Sequence, residues 1–145
     1  MKKTLVVAIA SASVLTGCSG MKANGVMKVQ CDEVVTLTVT SGFTGVNRDP
    51  IVVGQSNRWL CWELDATAGQ SYKLTADSIS IKDNDDEFSN CKAGTGGDLE
   101  GDTKIACHDK NNKHAGIDYK YTIQVYPRDP QLRTPKPYDP YIVNN

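Results

Sequence analysis

The sequence lacks the features of several common functional classes. Basic residues do not outnumber acidic ones, 16 against 17, whereas a nucleic-acid-binding protein usually shows a strong basic excess. No segment after Leu15 is apolar enough to cross a membrane. No serine stands in a nucleophile-elbow context, and Gly94-Thr95-Gly96-Gly97 is not followed by the residues of a phosphate-binding loop. These absences argue against a nucleic-acid binder and against two familiar kinds of enzyme.

A short apolar N-terminus ends in a specific motif. Lys2 and Lys3 precede a run from Thr4 to Leu15 that is too short to span a bilayer as a mature helix, and Leu15-Thr16-Gly17-Cys18 follows. This stretch resembles the lipobox of bacterial lipoproteins, which reads Leu, a small residue, Gly or Ala, then Cys. The resemblance implies that residues 1–17 are a signal peptide and that Cys18 carries the lipid. An ordinary secretory signal with a nearby cysteine is the alternative.

The lipobox resemblance also implies a location. Ser19 follows the cysteine where Asp would favour the inner membrane, so we expect an outer-membrane lipoprotein that faces the periplasm or the cell surface. Two or more acyl chains on Cys18 would hold it firmly. Residues 18–25 would form a polar tether, and the mature chain of 128 residues is one domain's worth, with a net charge of about −3.

Four cysteines remain once Cys18 is assigned to lipid: Cys31, Cys61, Cys91 and Cys107. An even number in an exported domain predicts disulfides, and four cysteines allow three pairings. We favour Cys31–Cys61 and Cys91–Cys107, because the second pair would close a Gly-rich polar loop and Cys31 could reach Cys61 from outside the main core. A zinc site is the rival, but no two cysteines have the spacing typical of structural zinc.

Period-two alternation of β-branched and aromatic residues predicts short strands over residues 26–126. Leu60, Trp62 and Leu64 face opposite to Trp59, Cys61 and Glu63, for example. Further strands are predicted around Val35–Val39, Ile51–Val53, Tyr72–Leu74, Ile79–Ile81, Ile105–Cys107 and Tyr119–Val125. With no helical periodicity beyond the signal, the pattern predicts an all-β, antiparallel β-sandwich with two disulfides.

We expect a sandwich of the immunoglobulin-like class. A true immunoglobulin framework is not expected, since neither Tyr119 nor Tyr121 has a cysteine two residues later. Residues 59–145 resemble small exported bacterial β-proteins of unknown function. The resemblance is carried by Trp62-Glu63-Leu64, Tyr72-Lys73-Leu74, Ile79-Ser80-Ile81, Phe88, Tyr119–Ile123 and Asp139–Asn144. It implies a fold and no activity.

The tail from Pro127 to Asn145 holds five of the six prolines. We expect it to form neither a helix nor a central strand. The prediction is an extended strap over residues 127–145 that lays Tyr138, Tyr141 and Ile142 on the domain surface. A recognition segment in polyproline conformation is the alternative.

Two polar clusters could carry chemistry. Asp83, Asp85 and Glu87 alternate in an acidic stretch, as calcium ligands do, although the stretch lacks the glycine and the final glutamate of an EF-hand; a solvated acidic turn is the alternative. His108 and His114 are expected in an exposed polar loop, without an obvious third ligand or nucleophile. We therefore predict no catalytic residue, no cofactor and no definite metal site.

The sequence indicates a general class of function but no specific partner or ligand. Trp59 and Tyr126 should point away from the core, where they could contact a partner or pack under the tail. The leading hypothesis is a non-catalytic, lipid-anchored envelope protein that binds or inhibits a protein or envelope component. The alternatives are a structural accessory of a secretion or pilus machine, and a small hydrolase that uses the two histidines.

Overall fold

Short strands joined by turns account for most of the computed structural model, which describes residues 29–83, 86–93, 101–112 and 116–145. In chain order the elements are β1 (Glu33–Thr40), β2 (Phe43–Val46), β3 (Ile51–Val53), β4 (Arg58–Leu64), α1 (Ala68–Ser71), β5 (Tyr72–Lys73), β6 (Ile79–Ile81), β7 (Phe88–Ala93), β8 (Lys104–Asp109), β9 (Ile117–Ile123), β10 (Tyr126–Pro127) and β11 (Tyr141–Asn144). No helix in these ranges has the length and apolar character needed to span a bilayer.

The strands form two main sheets that pack face to face. The first has the order β2-β1-β4-β8-β7 and the second the order β3-β11-β9-β6, while β5 and β10 pair with each other. The predicted all-β sandwich is confirmed. Its sheets are mixed rather than purely antiparallel, because β1 runs parallel to β4 and β3 runs parallel to β11. Alternation in sequence reports which face of a strand is buried and carries no information on strand direction.

A tight turn sets the register of the first hairpin. Thr40 pairs with Phe43, so only Ser41 and Gly42 connect β1 to β2. Both turn residues have positive φ, 51° and 79°, as a two-residue hairpin turn of the I′ kind requires. The turn therefore delivers Phe43 to the beginning of β2, at an edge of the first sheet.

The core lies between the two sheets and contains the residues that alternation predicts. Leu60, Trp62 and Leu64 of β4 are buried against Tyr121 and Ile123 of β9. A second, smaller cluster lies apart from this core and joins Val29, Cys61 and Ala106, with Cys31 and Trp59 packed against it. Because side chains alternate along β4, Cys61 belongs to this second cluster while its neighbour Trp62 fills the main core.

Both predicted disulfides are present. Cys31 bonds to Cys61, which ties the N-terminal segment to the outer face of β4. Cys91 bonds to Cys107 between the adjacent strands β7 and β8. Disulfides of this kind form and persist outside the reducing cytosol, so the pair indicates an extracytoplasmic location.

The C-terminal tail begins as an extended segment along the domain. Lys136 bridges to Phe43 of β2, and the backbone of Tyr138 exchanges two hydrogen bonds with Ile123. The Arg128 guanidinium pairs with Asp102 and holds the pKa of that carboxyl below its usual range. The tail thus contacts strands of both sheets before it becomes β11.

The expectation that the tail contributes no central strand is wrong. β11 lies between β3 and β9, and Ile142 is fully buried in the core rather than laid on the surface. The prolines end at Pro140, so all four residues of β11 can donate to the ladder. Tyr141 is exposed and Tyr138 is half-buried, as their surface placement in the strap predicted.

Candidate functional site

Three residues of the predicted sites, Cys18, Asp85 and His114, lie outside the described residues. The other two members of the acidic stretch are placed very differently. Asp83 is exposed in a turn, whereas Glu87 is completely buried. Asp83 and Glu87, which the alternating pattern grouped, therefore occupy different environments. Glu87 points into the interior, towards residues from other parts of the chain.

Trp59 and His108 are neighbours on the outer face of the first sheet. Their residues pair across β4 and β8, and their ring centroids are 5.1 Å apart. His108 is thus a half-buried strand residue, which corrects its expected place in an exposed loop. Trp59 packs against the cluster of Val29 and Cys61, so the segment that covers it is N-terminal and not the tail. Tyr126 is half-buried and pairs with β5.

A cleft of about 420 Å³ opens between the β1–β2 turn, β5 and the tail. Its lining consists of Ser41, Gly42, Phe43, Tyr72, Arg133 and Lys136. The Phe43 side chain is 57% exposed, and the ammonium of Lys136 lies 5.2 Å from the centre of the Phe43 ring. Leu132, next to Arg133, is also a largely exposed apolar side chain. The cleft therefore combines open aromatic and aliphatic surface with positive charge.

The cations of this cleft are not neutralised by the described residues. The ion pairs found there leave out both Arg133 and Lys136. A second cleft, of about 450 Å³, differs in this respect: its Asp32 pairs with Arg58, and its Glu33 pairs with Arg48. Each charged side chain that lines the second cleft is thus part of an ion pair. Of these two clefts, the one at Phe43 offers cations that no described residue pairs, and none of its described lining residues is a carboxylate.

A buried polar cluster lies where the two sheets meet at one end of the sandwich. Glu87 precedes β7, Asp109 ends β8 and Asn144 ends β11; the first two are fully buried and the third is 1% exposed. The backbone N–H of Asn112 donates to Glu87 Oε1 at 2.7 Å, and Asn111 N–H donates to Asp109 Oδ1 at 2.9 Å. The amide nitrogen of Asn144 donates to the same Asp109 oxygen at 3.2 Å.

Each of these three side chains also has a buried oxygen that accepts no hydrogen bond: Glu87 Oε2, Asp109 Oδ2 and Asn144 Oδ1. Burial, with a smaller contribution from the negative charge of Glu87, raises the pKa of Asp109 to about 6, although the hydrogen bonds from Asn111 and Asn144 act in the opposite direction. Within the described part of the chain, no three His, Cys, Asp or Glu side chains come together as a potential ligand set. The cluster instead combines two carboxyls with an amide.

Of the residues that form the cleft at Phe43 and the buried polar cluster, only Glu87 was predicted from the sequence as a candidate site residue. Nothing in the local sequence brings Phe43 near Lys136, since 93 positions separate them and only the course of the tail joins them. Asp109 and Asn144 did carry a signal. By period two, Asp109 shares the inward face of Ile105 and Cys107, and Asn144 shares that of Ile142. A polar side chain on the buried face of a strand indicates a site that needs a partner.

Comparison with known proteins leaves the family open: neither any protein-family model nor any curated protein matches this chain.

Proposed function

We propose that this chain is a lipid-anchored protein of the bacterial cell envelope that binds another envelope protein without catalysing a reaction. Its two disulfides indicate an extracytoplasmic location. The lipobox-like Leu15-Thr16-Gly17-Cys18 supports attachment through Cys18, and Ser19 supports the outer membrane as the destination. The binding surface in this proposal is the cleft at Phe43.

The single observation that carries the binding role is the juxtaposition of an open phenyl ring with two cations that no described carboxylate pairs. Exposed aromatics and arginine are the side chains most often responsible for affinity at protein interfaces. Phe43, Arg133 and Lys136 supply both kinds of contact around one concave surface. The partner that complements the positive charge of the cleft is an acidic protein segment, and an apolar side chain on that segment would pack against the Phe43 ring.

The backbone around the cleft favours an extended partner segment. β2 is an edge strand of the first sheet, and the tail covers it only in part: Thr44 N–H donates to the Lys136 carbonyl and Lys136 N–H donates to the Gly42 carbonyl. Edge strands offer hydrogen-bonding groups to an added strand, which is a common way to hold a peptide. A concave cleft beside an edge fits a peptide better than it fits a flat lipid surface.

The proposal includes no reaction because none of the described cleft residues is an activated group. Among the lining residues that the structure describes, Ser41 and Tyr72 carry hydroxyls, and none is a histidine or a carboxylate that could take a proton. The described lining thus supplies side chains for binding rather than for proton transfer.

Site-specific photocross-linking in intact cells tests this function. We expect p-benzoylphenylalanine in place of Phe43 to give one discrete protein adduct of the membrane-bound chain. The same probe at Val52 should not give that adduct, because Val52 is similarly exposed, 51%, but lies on β3 of the opposite sheet. The Cys18→Ser change should abolish incorporation of labelled palmitate and release the chain from the membrane.

Charge reversal supplies the matched control. Arg133→Glu or Lys136→Glu, combined with the probe at Phe43, should reduce the adduct at least about tenfold, as expected when a complementary charge pair becomes repulsive. Lys82→Glu makes the same change on an exposed lysine outside the cleft and should leave the adduct intact. An adduct that survives both reversals, or that contains only lipid or a second copy of this chain, contradicts the proposal. Palmitate retained on Cys18→Ser contradicts the anchor.

A further inference from the structure

The buried cluster of Glu87, Asp109 and Asn144 is short of positive charge and of donors. Both carboxyls are fully buried, yet neither takes part in an ion pair with a described lysine or arginine. The donors that reach them are backbone N–H groups and one amide, which satisfy one oxygen of each acid. Two buried carboxylates without a compensating cation are strongly unfavourable in a protein interior.

Three unpartnered oxygens remain, and they come from both sheets. Glu87 Oε2 and Asp109 Oδ2 belong to the end of the first sheet, and Asn144 Oδ1 belongs to the second. A single shared proton could satisfy the two carboxyl oxygens, but it would leave the amide oxygen of Asn144 without a donor. The Asn144 and Asp109 side chains are in contact, with the Asn144 amide nitrogen 3.2 Å from Asp109 Oδ1. A cation coordinated by the unpartnered oxygens of the cluster would also offset the charge of the two carboxylates.

We propose that Glu87, Asp109 and Asn144 form a calcium site that links the two sheets at this end of the sandwich. The ligand atoms are two carboxylates and an amide carbonyl, which are hard oxygens of the kind calcium takes, with six to eight oxygens in total. Sulfur and imidazole, which select softer metals, are absent from this set. Magnesium demands a near-ideal octahedron and gives up water reluctantly, so a fully buried oxygen set favours calcium over magnesium.

This site differs from the acidic turn in which alternation suggested calcium. It takes only Glu87 from that stretch, and Asp83 remains outside it at the surface. The inference goes beyond the proposed binding function and does not depend on it, because the cleft at Phe43 has a separate lining.

Thermal unfolding and calorimetry of the purified, disulfide-intact chain test the site. After dialysis against EDTA near neutral pH, we expect calcium chloride to bind with a stoichiometry of one. At millimolar calcium, Tm should rise by about 5 °C or more, since a ligand that binds only the folded state stabilises it. Magnesium at the same concentration should give less than half of that shift.

Matched substitutions locate the binding. Asp109→Asn keeps the shape of the side chain and should abolish the calcium shift, while it leaves Tm in EDTA equal to or above that of the unchanged chain because one buried charge is removed. Glu87→Gln should act in the same way and serves as a second variant if Asp109→Asn does not fold. Asp83→Asn removes an exposed charge from the acidic turn and should change nothing.

Two results overturn the calcium site. One is the absence of binding heat and of any Tm change at ten-millimolar calcium in the unchanged chain. The other is an Asp83→Asn variant that loses the response as completely as Asp109→Asn does, which would move the binding to the surface turn.

Discussion

At the scale of single residues, one polar contact lies at the centre of the apolar core. Trp62 of β4 and Tyr121 of β9 are both completely buried, and their ring centroids are 5.5 Å apart. The indole Nε1–H of Trp62 donates to the Tyr121 hydroxyl at 3.3 Å. Burial raises the pKa of Tyr121, so the hydroxyl stays protonated and neutral. This contact lets two large aromatic side chains enter the core without leaving the indole N–H unpaired.

We expect Tyr121→Phe to lower the free energy of unfolding by about 1–3 kcal/mol, because the Trp62 indole N–H would lose its buried acceptor. Urea unfolding with the disulfides intact measures the change. Tyr141→Phe removes a hydroxyl from a side chain that is 45% exposed and serves as the control, with no expected effect. Equal stability of the two variants would show that the hydrogen bond contributes nothing.

Alternation predicted that Trp62 and Tyr121 both face the core, but it did not predict that they meet. The inward orientation of each side chain can be predicted from the alternation within its own strand. The contact needs β4 and β9 to lie opposite each other in different sheets, although Trp62 and Tyr121 are 59 positions apart in the sequence.

At the scale of elements, the tail consists of an extended segment followed by a strand, whereas the sequence predicted a single extended strap. The proline-rich part is extended along the domain, and the last strand, β11, is an interior member of the second sheet. Its strand partners are β3 and β9, and Ile142 lies between them in the core. The side chain of Asp49, just before β3, also accepts hydrogen bonds from the Tyr138 hydroxyl and the Tyr141 N–H.

We expect Ile142→Ala to destabilise the fold by about 2–5 kcal/mol, the range for large-to-small changes at fully buried positions. Val143→Ala, on the same strand but only partly buried, should cost less than about 1 kcal/mol, since surface changes away from specific contacts are small. Chemical denaturation of both variants gives the comparison. A tail that merely lies on the surface would make the two costs equal.

The elements that sequence reasoning missed lack a strong local signal. β2 reads Phe-Thr-Gly-Val and β7 reads Phe-Ser-Asn-Cys-Lys-Ala, neither with a clear apolar alternation. β2 is a strand because the hairpin turn at Ser41 and Gly42 places it against β1, and β7 is a strand because β8 pairs with it. In both cases the neighbour supplies the hydrogen bonds that define the strand.

At the scale of the whole molecule, the two disulfides have different tasks. Cys91–Cys107 joins strands that are already neighbours. Cys31–Cys61 instead brings the start of the described chain onto the outer face of the first sheet, where Val29 and Trp59 complete a small apolar cluster. Neither bond alone holds the two sheets together, a task that belongs to the core and to the shared tail.

Removing either bond with paired alanine substitutions should lower stability by about 3 kcal/mol, from the entropy of closing loops of this length. The two variants should differ in a second measurement. Cys31→Ala with Cys61→Ala should increase acrylamide quenching of Trp59 fluorescence, because the covering segment is released. Cys91→Ala with Cys107→Ala should leave that quenching unchanged, and identical quenching in both variants contradicts the assigned role.

The sequence by itself determined the all-β class and the inward face of each strongly alternating strand, and it favoured the disulfide pairing that the structure shows. These properties follow from local periodicity and from the face on which Cys61 lies, and neither requires knowledge of distant neighbours. The lipid anchor at Cys18 is likewise a sequence-based prediction, and it awaits the labelling experiment.

Only the tertiary structure decided which strands run parallel, that the tail supplies an interior strand, and which polar residues meet. Strand direction and order depend on how the connections cross the sandwich. The alternation of side chains along a strand contains no information about those connections. For the same reason Phe43 and Lys136, or Asp109 and Asn144, become neighbours only when segments far apart in the chain pack together to bury their shared core.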